Sequence, residues 1–227
     1  MNKKELVVKY RPLIKIACAV HNLRNVFRKR SPGCVDVSVG CALLRKVSFD
    51  ARGRNNQVTV GDFARLYNCT FYIFGSNNTI RIDKWCSLTD AEFYIEDDNN
   101  EIVIGEHTVI AGKTHLAAIE GTKISIGQDC LFSSDVHFRT GDSHSLLNLE
   151  GKRINRSEDI VIGDHVWVGT KATCLKGAQV PAHSVVGACS LVTGRFDKPN
   201  CVLAGVPAKV VKEGIDWANN RIPVDEK

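Results

Sequence analysis

Aromatic residues make up only 7% of this 227-residue chain. That is too few for a broad core filled with rings and suits a narrow one built from Val, Ile and Ala. Proline is scarce, 6 residues against 18 glycines, so turns must rest on residues that accept left-handed backbone. No apolar run approaches the roughly 18 residues of a membrane-spanning helix. The N-terminal stretch LIKIACAV is short and interrupted by Lys15, which argues against a secretory signal. No CxxC pair occurs. The nine cysteines (18, 34, 41, 69, 86, 130, 174, 189 and 201) are odd in number and scattered, so a disulfide framework or cysteine zinc site is not expected and a reducing, cytoplasmic setting is. HExxH, GxxxxGK[ST] and a strand-following GxGxxG are also missing, which excludes phosphate-loop and dinucleotide chemistry. With His137 and His144 seven apart on differently placed segments, no metal is expected.

Acidic residues are nearly absent from the first 30 positions. Lysine or arginine stands at 3, 4, 9, 11, 15, 24, 28, 29 and 30 against Glu5 alone, giving +8 within a total of +5, so the remainder carries −3. Basicity belongs to an N-terminal arm. Such an arm suits anionic lipid or an acidic polymer, or is simply a solvated helix face. Nothing in it matches a nucleic-acid-binding module.

What the chain does have is a ladder of apolar residues six apart: Ile162, Val168, Cys174, Val180, Val186 and Val192. A helix repeats every 3.6 residues and a strand every two, so neither gives six. Short strands with a turn after each, wound into a solenoid, do. Before this ladder lie four gapless blocks of 22 residues, 57–78, 79–100, 101–122 and 123–144, with Val60, Ile82, Ile104 and Ile126 in equivalent places. A weaker copy at 35–56 is slipped by about one residue. A three-sided coil of hexapeptides needs 18 residues, so each block is one coil plus four. The polar block ends SNN, DDNN, EGT and GDSH place the excess in stacked turns. Stacking is obligatory, because one coil cannot bury its own inner side chains.

Three parts follow. Residues 1–34 form a basic, largely helical arm whose apolar positions Leu13, Ile16, Ala17, Val20 and Phe27 must pack somewhere. Residues 35–205 form the solenoid, with 22-residue coils to 144, an excursion at 145–158 (SLLNLEGKRINRSE) and hexapeptide coils from 159. Residues 206–227 close it, with a short helix expected over 207–220 and Trp217 covering the bottom of the core.

His144 ends the last wide coil directly before the excursion, where a neutral imidazole could take a proton from a substrate hydroxyl. Asp142 could orient that ring or hold a sugar, and His137 is the rival base. His107 and His165 sit at a repeated turn position and read as structural. Trp167 should point outward, as an interface residue or as a stacking platform for a sugar or a pantetheine arm. Lys171, Arg195 and Lys209 could meet a phosphorylated cofactor, although each alone reads as a solvated cation.

The [IV]-G-x-x-x-x repeat, with HFRTGDSHSLLN, GKRINRSEDIVIGDHVWVG and CVLAGVPAKVVKEG, resembles the left-handed β-helix (hexapeptide-repeat) acyltransferases. It looks nearest to the branch that O-acetylates bacterial polysaccharide or sialic acid. The resemblance covers about 57–214 and implies an all-β, left-handed parallel β-helix that assembles as a homotrimer with active sites in clefts between neighbours. It implies acetyl-CoA as acyl donor, no metal, and a carbohydrate acceptor such as capsule or lipopolysaccharide O-antigen. The family's catalytic histidine falls on His144 and its motif tryptophan on Trp167, with Val168 in place of the usual isoleucine. Its Ala-Gly-Asn-Pro-Ala-Lys motif becomes AGVPAK at 204–209, where Val206 replaces asparagine and Lys209 remains. Its Thr-Lys-Asp-Ile-Pro-Pro stretch becomes TGRFDKP. Trp167, Gly169, Lys171, Arg195 and Lys209 are therefore the expected donor contacts, and Arg139, Asp142, Arg153 and Asn155 the expected acceptor contacts. Competing readings are N-acetylation of an amino sugar or small molecule, and a non-catalytic solenoid scaffold that uses the arm at the inner face of a membrane. A γ-type carbonic anhydrase would need a histidine trio that the sequence does not show.

Overall fold

The computed structural model describes residues 3–28 and 33–223. Three sheets of eight, seven and nine strands, here called A, B and C and parallel except for the last strand of C, form the sides of a left-handed solenoid. Each coil runs from sheet B to sheet C to sheet A. Thr79–Ile82, Ser87–Thr89 and Ala91–Glu96 are one such circuit. The expected periods appear as strand register. Val58, Ile80, Ile102 and Ile124 pair at steps of 22, and Ile162 pairs with Val180 at a step of 18. Val37 pairs with Val58 at 21, the one-residue slip of the weak first copy. The excursion stretches one step to 36, from Ile124 to Ile160. All six ladder residues, Ile162 to Val192, are buried.

The four extra residues of a wide coil go partly into a strand as well as into a turn. Sheet A strands in wide coils, such as Thr70–Phe74 and Ala91–Glu96, run five or six residues, whereas Thr173–Leu175 and Leu191–Val192 run three and two. Each long strand turns a second residue inward: Ile73 behind Phe71, Ile95 behind Phe93, Ala118 behind Leu116. Phe49, Phe71 and Phe93 stack through the core with centroids 4.7 and 4.6 Å apart.

The A-to-B corner of each wide coil is held by a buried polar ladder. The backbone N–H of Asn78 donates to the Asn56 side-chain oxygen (3.1 Å), Asn100 to Asn78 (2.8 Å) and Thr122 to Asn100 (3.0 Å). The amide groups of Asn56, Asn78 and Asn100 donate to backbone carbonyls at the ends of the sheet A strands. At the next corner, B to C, the requirement is closeness. A Cβ on Gly105 would lie 2.5 Å from the backbone of Gly127, and one on Gly163 2.5 Å from Ala182. Glycine of the [IV]-G step is thus demanded by coil-to-coil approach.

The first coil is capped by helix α1, Lys3–Asn25, with Pro12 inside it. Asn22 donates to the Ala42 carbonyl (3.0 Å) and accepts from the Leu44 N–H (2.9 Å), Cys18 is buried, and Arg11 pairs with Asp62 at 2.5 Å. Leu13, Ile16, Val20 and Leu23 face outward, so the apolar stripe expected to pack does not pack on its own chain. After α1 the chain adds a strand, Val26–Arg28, to sheet A. Phe27's side chain lies outside the described residues.

The C-terminal end corrects an expectation. Residues 208–213 form a strand antiparallel to Cys201–Gly205, where a helix was expected. A run of AKVVKE offers alternating side chains to a free sheet edge, which a helix there would leave unpaired. Phe196 packs against the core, while Trp217 stacks on His165 outside it.

Replacing Asn78 with alanine removes one buried acceptor, leaves the Asn100 N–H unpaired and takes one of two donors from the Asp97 carbonyl. The expected loss in urea denaturation is about 1–3 kcal/mol. An Asn219→Ala control in the exposed tail should stay within about 0.5 kcal/mol.

Candidate active site

The excursion leaves from the A-to-B corner, where wide coils give way to narrow ones. It is a short hairpin. Leu147 bridges Arg153, the Asn148 N–H donates to Lys152 O (2.8 Å) and the Ile154 N–H to Leu146 O (2.8 Å). Asn155 is its hub and is buried. Its oxygen accepts from the Leu146 N–H at 2.8 Å and from Arg153 Nε at 3.1 Å, and its amide donates to Asp142 Oδ2 and to the His144 carbonyl, each at 2.8 Å. Asp142 also takes Lys176, and the Lys176 ammonium followed by the Asn155 amide holds its carboxyl below the usual range. Arg153 binds Glu120, and that guanidinium with the Ser157 hydroxyl lowers the Glu120 carboxyl. The backbone of His144 is thereby fixed while its imidazole is left exposed.

Asp142, Arg153 and Asn155 therefore spend their hydrogen bonds on placing His144, whatever else they offer an acceptor. Arg139 donates to the Ser143 hydroxyl (3.1 Å), one residue from His144. From there a hollow lined by Tyr94, His115, Arg139, Gly141 and Ser143 continues into a groove of about 690 Å³ on the outer face of sheet A. Its walls include Lys113, Glu92, His115 and His137. His115 pairs with Glu92 at 2.8 Å, and burial, outweighing that carboxylate, pushes the imidazole below its ordinary pKa. The rival base His137 lies in this groove beside Asp135.

Trp167 occupies a different side. It stands on the outer face of sheet C in a register row Val109, Leu131, Trp167, Val185, Val202, and its indole N–H donates to Ser133 Oγ (3.3 Å). The antiparallel C-terminal strand extends this sheet, placing Lys212 opposite Val202 and Lys209 opposite Ala204. Lys171 is exposed at the neighbouring C-to-A corner, and a Cβ on Gly169 would lie 2.6 Å from Ala188 N. An apolar strip ending among lysines suits a thioester's pantetheine arm and phosphates. Arg195 is set apart from them: it bridges Gln179 of sheet B and lies 4.0 Å from Glu158. Lys212, Ser133 and Lys176 carried no signal in the sequence, because each gains its meaning only from the strand or loop beside it.

In a three-sided coil the A-to-B corner is opposite sheet C. His144 and Trp167 thus lie on opposite sides of one chain. The buried cysteines 69, 86, 130 and 174 are inert candidates, their thiols pushed up to about 12 by burial.

No protein-family model matches the chain. The crystal structure of the polySia-specific acetyltransferase NeuO superposes with a TM-score of 0.74 at 29% identity, covering 86% of this chain and 89% of that one. The structure of the polysialic acid O-acetyltransferase OatWY is 31% identical over 87% of this chain and 89% of its own, with a TM-score of 0.51. A curated polysialic acid O-acetyltransferase from Neisseria meningitidis is 35% identical over 107 residues, 47% of this chain and 50% of the relative. The match thus spans half the length of that curated relative. Fold and matches together place the chain in the hexapeptide-repeat, left-handed β-helix acyltransferases related to polysialic acid O-acetyltransferases.

Proposed function

We propose that the chain transfers an acetyl group from acetyl-CoA to a hydroxyl of a bacterial surface polysaccharide or its sugar precursor. The observation that carries this is a rigidly held loop presenting an exposed His144, together with a second face on which Trp167 heads an apolar strip bordered by lysines. The first suits an acceptor hydroxyl and the second a thioester donor.

In this reading His144 accepts the hydroxyl proton as the sugar oxygen attacks the acetyl carbonyl. Backbone N–H groups stabilise the oxyanion. Collapse expels the CoA thiolate, which the imidazolium protonates, so the base is regenerated. The groove on sheet A receives the glycan, with Arg139 nearest the reacting end and Tyr94 and the histidines along it. Cations and carboxylates alternate there, which suits a chain bearing both hydroxyls and acidic groups.

Because His144 and Trp167 lie on opposite sides of one chain, the site is completed by a second copy, and a homotrimer closes the arrangement. The excursion carries Leu146, Leu147, Leu149 and Ile154, all exposed, a density of apolar side chains that a neighbouring subunit would cover. No helix among the described residues is long and apolar enough to cross a membrane. Helix α1 instead presents Leu13, Ile16, Val20 and Leu23 outward on a segment rich in Lys and Arg. We place this face on the anionic inner surface of a membrane, with the enzyme in the cytoplasm.

His144→Ala should cut acetyl transfer to glycan by about 10²–10⁴-fold while donor binding and assembly persist. Asn155→Ala, which only loosens the loop, should lose less. Full transfer by His144→Ala protein of normal mass would refute the assignment. An Ile16→Glu/Leu23→Glu chain should no longer float with phosphatidylglycerol vesicles, and equal flotation would remove the membrane reading.

A further inference from the structure

The B-to-C corners stack in register and turn one residue per coil into left-handed backbone: Phe63, Trp85, His107, Asp129, His165 and His183 all have φ between 53° and 65°. Their side chains form a column up one edge of the solenoid. Phe63 and Trp85 stack at 4.4 Å, and the His165 and His183 rings lie 5.1 Å apart. The lower part of this column is unlike the rest, because the C-terminal tail folds against it. Asp216 and Trp217 meet the two histidines there.

We propose that His165, His183, Asp216 and the Trp217 carbonyl form a binding site for a zinc-like divalent transition-metal ion. One ligand atom from each of the three side chains lies within 4.8 Å of the others. His165 Nε2 is 3.4 Å from one Asp216 oxygen, His183 Nδ1 is 3.5 Å from the other, and the Trp217 carbonyl oxygen is 2.9 Å from His165 Nε2. Ligand atoms around tetrahedral zinc, each about 2.0–2.1 Å from the ion, are spaced by about 3.3 Å. The donors thus already stand near coordination spacing, and an ion between them takes the place of the proton that His165 shares with the carbonyl.

The surroundings have the form of a metal site. His165 Nδ1 is bound to the Asp129 carboxylate at 2.7 Å, which fixes the ring and aims Nε2 at Asp216. A carboxylate behind a ligating imidazole does this orienting work in metal centres. Two imidazoles with one carboxylate favour Zn²⁺, Ni²⁺ or Co²⁺ over Mg²⁺ or Ca²⁺, which prefer oxygen. Both histidines ride on solenoid corners whose backbone N–H groups are bonded to the preceding coil, His165 to Gln128 O (2.8 Å) and His183 to Asp164 O (2.9 Å). Only Asp216 and Trp217 need to settle. The ion would be structural: the Trp217 indole already donates to His165 O (2.8 Å) and lies 6.3 Å from the Trp167 ring. Pinning the tail there builds a wall beside Trp167.

The test uses full-length, tag-free protein stripped with chelator, then incubated with ZnCl₂ and passed through a desalting column. The expected result is about one zinc per chain by elemental analysis, a rise in thermal midpoint, and loss of both in His183→Ala and in Asp216→Asn. Cobalt in place of zinc should give a visible absorption band that His183→Ala abolishes. Because His183 and Asp216 are exposed, both variants should fold like the parent. No retained metal in the parent, or equal retention in both variants, would overturn the site and leave an ion-paired tail. Neither readout depends on acetyl transfer, so this inference and the catalytic one fail separately.

Discussion

Each coil is stable only because it lies in register on the next. A single turn of three short strands leaves its inner side chains half covered and its backbone groups unpaired. Stacked turns share both, so the whole molecule hangs on faithful repetition. Two devices enforce it. At the A-to-B corner of the wide coils, Asn56, Asn78, Asn100 and Thr122 bond from coil to coil with no freedom to slip. At the B-to-C corner, glycines such as Gly105 and Gly163 let backbones approach to distances that any Cβ would prevent. A one-step slip would bury the polar outer residues and expose the apolar ladder.

The candidate site exists because this repetition is interrupted once. The asparagine ladder passes through Thr122 to Thr140, joined hydroxyl to hydroxyl at 2.6 Å, and ends there. The excursion leaves from the same corner, so a rigid polar column underlies the loop that holds His144. Beyond it the coils narrow and sheet A loses its second inward residue. Trp167 then follows on the opposite sheet. The solenoid presents His144 and Trp167 on separate faces, and the proposed reaction between them calls for a second chain.

The solenoid, both periods, the slipped first copy and the inward ladder were legible in the sequence, because a burial pattern repeated every six or 22 residues leaves few alternatives. The junction at His144 was legible as a break in that pattern. What escaped depended on contacts between distant segments. The strand at 208–213 reads as a helix until a free edge of sheet C is there to pair with it. The part Asn155 plays in holding the loop has no sequence signal, because it rests on bonds to Asp142 and His144. The meeting of His165, His183 and Asp216 has no signature in spacing, because one partner comes from a tail 51 residues beyond the first. The outward stripe of α1 was visible, but whether it faced the solenoid could be learned only from which residues, Cys18 and Asn22, take the inner side.

In the proposed reaction His144 of one chain works with Trp167 of another. Mixing His144→Ala and Trp167→Ala chains, each inactive alone, tests it after denaturation and joint reassembly. If the site is shared, about a quarter of the interfaces in randomly mixed trimers hold both native residues, and acetyl transfer returns to about that fraction. If the mixture assembles and stays inactive, the two residues do not act across an interface and the shared site is refuted.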